Sequence, residues 1–74
     1  MALSRDRFDP GDLVSVVRDY ASLCDSRGNK IRTIPIDSLG VVIAYNSKIG
    51  SYFVSWDFGR SGWVLRDNLC EVTA

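Results

Sequence analysis

Apolar and polar positions along this chain alternate in short bursts and never settle into a helical stripe. Leu13-Val14-Ser15-Val16-Val17-Arg18 is rich in β-branched residues, is bounded by polar ones, and sets Val14 and Val16 on one face. It reads as a first strand. Gly40-Val41-Val42-Ile43-Ala44-Tyr45 reads as a second, and Ser51-Tyr52-Phe53-Val54-Ser55-Trp56-Asp57 as a third. In the third, period-2 alternation puts Tyr52, Val54 and Trp56 on one face and Phe53 and Ser55 on the other. Trp63-Val64-Leu65 gives a fourth strand, Arg66-Asp67-Asn68-Leu69 a single helical turn, and Cys70-Glu71-Val72 a fifth strand. Nowhere do apolar residues recur at helical spacing over three turns.

The joints between these runs carry turn chemistry. Asp9-Pro10-Gly11-Asp12 precedes the first strand, with Pro pre-setting one backbone angle and Gly freeing the next. Asn46-Ser47-Lys48-Ile49-Gly50 is a hairpin loop whose Gly suits positive φ, and Phe58-Gly59-Arg60-Ser61-Gly62 is a second Gly-bearing turn. Residues 1–8 read as a flexible polar arm, leaving 9–74 as the folded unit. Residues 19–38 sustain neither period. They centre on Asp25-Ser26-Arg27-Gly28-Asn29-Lys30, and Ile34, Ile36 and Leu39 are offered as anchors that pack the far limb down. A loop of that length in a compact domain is often functional, and this one reads as a partly hairpin-like excursion. The expected fold is therefore all-β: a five-stranded antiparallel barrel with a long first loop and a one-turn 3-10 helix before the last strand.

Composition narrows the function classes. Seventy-four residues make one small domain with a small core. Nine Lys+Arg balance nine Asp+Glu, so the non-specific attraction that draws basic proteins to nucleic acid is missing. There is no His, which removes the commonest general base and the commonest zinc ligand. A Ser nucleophile then lacks its usual partner, and a chain this short has little room for a deep, water-excluding pocket. Phosphate-loop and dinucleotide motifs are absent. The expectation is a non-enzyme with no cofactor, no metal and no catalytic residue. No run is long and apolar enough to span a bilayer, and no signal-peptide core opens the chain, so a cytoplasmic or other intracellular setting is expected. Cys24 and Cys70 match no metal or redox spacing and read as reduced, partly buried thiols.

The order of loop lengths resembles the SH3-like small barrel. The resemblance covers about residues 8–73 and rests on Pro10-Gly11-Asp12-Leu13-Val14-Ser15-Val16, Leu39-Gly40-Val41-Val42, Tyr52-Phe53-Val54-Ser55-Trp56-Asp57 and Gly62-Trp63-Val64-Leu65 with Asn68-Leu69-Cys70-Glu71-Val72. The Pro-Gly-Asp-x-Val-x-Val opening, long first loop and Gly-x-Val are similar in pattern to small accessory subunits. These include photosystem I reaction-centre subunit IV, the variable chain of ferredoxin–thioredoxin reductase, and the nitrogen-fixation protein NifZ. That likeness implies a non-catalytic accessory subunit or assembly factor docking on a larger complex. Gly40-Val41-Val42 and Val54-Ser55-Trp56-Asp57 also resemble the KOW type, which implies RNA binding as an alternative. Arg18-Asp19-Tyr20-Ala21 and Gly62-Trp63-Val64 resemble segments of peptide-binding SH3 domains, a further alternative. Arg66 there replaces the groove proline, and the adjacent Trp pair is missing.

Seven residues are candidates for partner binding: Tyr20, Arg27, Lys30, Arg32, Tyr45, Arg60 and Trp63. Tyr20 and Tyr45, at strand ends, are placed to line a groove between the long loop and the first hairpin. Arg27, Lys30 and Arg32 form the one local excess of positive charge, suited to steering an acidic protein surface. Trp63 alternates opposite Val64, so it faces outward if Val64 packs inward. Beside Arg60 it would make a strong anchor, since binding hot spots favour Trp, Tyr and Arg.

Overall fold

The computed structural model describes residues 8–72. It is all-β, with seven strands instead of five: β1 Leu13–Val16, β2 Ser22–Cys24, β3 Lys30–Thr33, β4 Leu39–Asn46, β5 Ser51–Trp56, β6 Ser61–Leu65 and β7 Leu69–Glu71. A single 3-10 turn at Arg66–Asn68 precedes β7, where a helical turn was expected. All pairings are antiparallel, in the order β3-β2-β6-β5-β4-β1-β7. β3 and β7 are the edges, and no ladder among the described residues joins them.

The two extra strands come from the long first loop. Ser22 pairs with Thr33 and Leu23 with Arg32, and the Ile34 N–H extends the ladder to the Ala21 carbonyl at 2.8 Å. The hairpin-like excursion expected there is thus a paired hairpin, whose strands period 2 did not mark because β2 and β3 are only three and four residues long and a register shift at Leu23/Cys24 breaks their alternation. Among the proposed anchors only Ile34 is buried; Ile36 and Leu39 are exposed. Pro35 to Ser38 make a turn with Asp37 in the left-handed region, closed by the Ser38 hydroxyl on the Pro35 carbonyl at 2.6 Å. The near limb supplies the remaining anchors, Ala21 and Leu23, both buried.

The core follows the alternation elsewhere. Val14, Val16, Tyr52, Val54, Trp56 and Val64 are all buried, with Ile34, Leu23 and Val42 beside them. Gly40 and Gly62 occupy inward positions where the facing side chains leave no space: Gly40 lies under Val54 and Trp56, and Gly62 under Leu23. The Trp56 indole N–H is buried with no acceptor among the described residues. Gly50 has φ 65°, the positive angle the hairpin loop called for.

Phe8, assigned to the arm, belongs to the core instead. Its ring sits 5.2 Å from that of Tyr52, and its N–H donates to the Tyr52 hydroxyl at 2.8 Å. The rest of the arm, residues 1–7, lies outside the described residues. Both cysteines are free; Cys24 is half-buried as expected, but Cys70 is exposed, because it shares the outward face of β1 and β7 with Ser15.

Candidate interaction groove

Three segments distant in sequence meet at one end of the sheet: the β2–β3 hairpin, the β4–β5 turn, and β6 with the 3-10 turn that follows it. Between them lies a groove of about 480 Å³. Its floor is Trp63 and Leu65 of β6, with Ser51 of β5 beside them; Tyr20, Ser22, Cys24 and Asp25 wall one side and Ile49 the other. A smaller recess continues past Ile49 and Leu65 to Arg66 and Asp67. The size is that of a ligand cleft, and the lining is predominantly apolar. Tyr20, Ile49 and Leu65 are each more than half exposed, so the domain leaves them unburied on its own.

The walls are held by local hydrogen bonds. Arg18 donates from Nη1 to the Tyr20 hydroxyl at 2.8 Å and from Nε to the Asp67 carbonyl at 3.3 Å, tying the hairpin's root to the 3-10 turn. At the hairpin tip the Asp25 carboxylate accepts the Arg27 and Asn29 N–H groups, each at 2.9 Å. Hydrogen bonds from Asn29 and Arg27 outweigh a smaller opposing desolvation and hold this carboxyl below its ordinary value of 3.8. A carboxylate whose folded pKa is depressed supports the fold above its unfolded value and loses that support as pH falls through the folded one. The tip is therefore expected to loosen on acidification below about pH 4, read as shifted and faster-exchanging Arg27 and Asn29 amides in an NMR pH titration. Asp25→Asn should shift those amides at neutral pH and flatten their titration below about pH 4; an unchanged titration would assign it to another group.

The candidate residues fall into two sets. Tyr20 and Trp63 line the groove. Trp63 is half-buried, meets the Phe53 ring in a tilted contact at 5.2 Å and pairs across to Cys24. Tyr45 does not line it, because a register shift near Ile43 turns it inward against Tyr52, 4.6 Å ring to ring. Arg27 and Lys30 are exposed, at the hairpin turn and on β3. Arg32 lies over the Phe58 ring at 4.8 Å, so it is Arg32 rather than Arg60 that meets an aromatic ring of the β5–β6 turn. Arg60 is exposed there and gives its carbonyl to the Trp56 N–H. Sequence reading missed Ile49 and Leu65; their signal was a large apolar residue at a turn or outward strand position. Among the described residues no group of His, Cys, Asp or Glu is arranged to hold a metal, and no helix is long and apolar enough to cross a membrane.

No known protein family, no characterised protein and no solved structure matches this chain.

Proposed function

We propose that this chain is a non-catalytic protein-interaction module of SH3-like barrel architecture, serving a larger protein complex as an accessory subunit or assembly factor. The strand order supports the architecture. The β4–β5–β6 meander carries β1 and β7 beyond one side and the β2–β3 hairpin on the other. When the hairpin is counted as the long first loop, β1, β4, β5, β6 and β7 correspond to five barrel strands. The observation that carries the function is the groove, where exposed Tyr20, Ile49 and Leu65 stand together with half-buried Trp63. Aromatic side chains in such a cleft supply large contact area with few rotors to freeze, which favours a protein partner.

Capture of partners from the source cell by wild-type protein, set against Trp63→Ala and Tyr20→Ala, tests this reading. Loss of a groove-centre aromatic costs about 2 kcal/mol at a hot spot, a roughly 30-fold weaker complex. Equal recovery by all three proteins removes the groove from consideration. The groove's place favours a second reading, an SH3-type peptide site, since Tyr20 and Trp63 face one cleft beside the hairpin. It expects chemical-shift changes at those two residues when proline-rich peptides are titrated in, because preformed polyproline helices dock on aromatic-lined grooves. RNA binding draws less support, because Arg18 is held by Tyr20 and Arg32 by Phe58, and the only charged residue lining the main groove is the acid Asp25.

A further inference from the structure

Ser51 is the one groove residue whose chemistry the domain itself leaves unused. It opens β5 on the face away from Tyr52, and register sets it beside exposed Leu65. Of the residues lining the groove it alone is buried, at 5% exposure, yet its hydroxyl has no hydrogen-bond partner among the described residues. Ser38, the other buried serine, donates to the Pro35 carbonyl. The Ser51 oxygen is not sealed away as the Trp56 indole N–H is; it opens into the groove. Ser22 and Asn68, the other hydroxyl and amide side chains there, are half-buried and within reach of water. A nearly dry hydroxyl left unpaired costs free energy that an arriving acceptor restores.

On the reading of the groove as a protein-binding site, we propose that the Ser51 hydroxyl is its hydrogen-bonding anchor. The occupant is an uncharged, extended segment of a partner protein, and one of its backbone carbonyls accepts the Ser51 O–H. Asp25, the one charged side chain in the lining, already spends Oδ1 on the Arg27 and Asn29 N–H groups and turns Oδ2 toward the Asn29 amide at 3.5 Å. A charge carried into the groove would lose water and find no counter-charge free to replace it. Charge complementarity therefore selects a neutral segment, with apolar side chains against Tyr20, Trp63, Ile49 and Leu65 and one polar point at Ser51. The backbone supplies that point. A helix uses its mid-segment carbonyls internally, whereas an extended chain holds them free between side chains that point to opposite sides.

Linear peptides of about 12 residues, long enough to cross the groove when extended, are selected from a random displayed library on the wild type. Counter-selection uses Trp63→Ala, checked for folding by its amide spectrum. The recovered peptides should be uncharged and aliphatic or aromatic at their centre. Ser51→Ala should weaken them about 10-fold, the loss expected of one buried hydrogen bond. Replacing each peptide bond in turn by an (E)-alkene should find one position that costs the wild type a similar factor and Ser51→Ala almost nothing; that coupling identifies the carbonyl. The free Ser51→Ala domain should keep the wild-type urea midpoint, because it loses no bond. A fall of about 1 M or more shows a structural hydroxyl and overturns the proposal. Peptides that need Trp63 but bind Ser51→Ala as tightly, or that centre on a charge, overturn the anchor and leave the groove reading standing. Recovery of no peptide that needs Trp63 overturns both.

Discussion

Gly40→Ala is expected to destabilise the domain by about 3 kcal/mol, at the upper end of what overpacking a core costs. Gly40 pairs with Val14 on one side and Trp56 on the other, at the centre of the inward face. A Cβ built there lands on Val54 Cγ1 and comes within 2.8 Å of Trp56 Cε3. Neither neighbour is the free end of a flexible chain. Val54 is β-branched, which restricts its χ1, and both are buried. A domain this small holds a total stability near 5 kcal/mol, so the variant keeps less than half of it and Gly40→Val is not folded at 37 °C. Urea unfolding read by tryptophan fluorescence gives the number, with Ser55→Ala on the exposed side as a control within about 0.5 kcal/mol of wild type. Gly40→Ala that melts with the control would mean the Trp56 ring does not lie over this strand.

Gly40 also explains what could and could not be read from the sequence. Where inward positions are large and outward ones polar, alternation was enough: Tyr52, Val54 and Trp56 face the core and Ser55 faces away. Leu39 to Tyr45 is apolar or glycine at every position, so period 2 carries no information about which side is which. The register settles it the unexpected way, with the glycine inside and Leu39, Val41 and Ile43 outside. The shift near Ile43 then reverses the parity, which is why Tyr45 turns to the core instead of the groove. The groove itself was half legible. Trp63 follows from alternation with Val64, but Ile49 and Leu65 acquire a role only when the β4–β5 turn is brought beside the β2–β3 hairpin. No local pattern encodes that approach.

Tyr52 does two jobs, and two substitutions separate them. Its ring is wholly buried near the start of β5, between Phe8 at 5.2 Å and Tyr45 at 4.6 Å. Its hydroxyl accepts the Phe8 N–H at 2.8 Å, 44 positions away in the chain. Tyr52→Phe keeps the ring and strands that buried N–H, at a cost of about 2 kcal/mol. Tyr52→Ala removes ring and hydroxyl together and leaves a cavity, at a cost of about 4 kcal/mol. The denaturation midpoint should fall in that order, and in Tyr52→Phe the Phe8 amide should gain more in exchange rate than the β6 amides, which speed up only with the global loss of stability. The same amide tests where the domain begins. If Phe8 exchanges freely in the wild type, and Tyr52→Phe unfolds at the wild-type midpoint, then Phe8 is an arm residue after all and the folded unit starts at the Asp9–Asp12 turn. Protection of Phe8 that is lost with the hydroxyl alone makes residue 8 part of the folded unit, pinned across the core to β5.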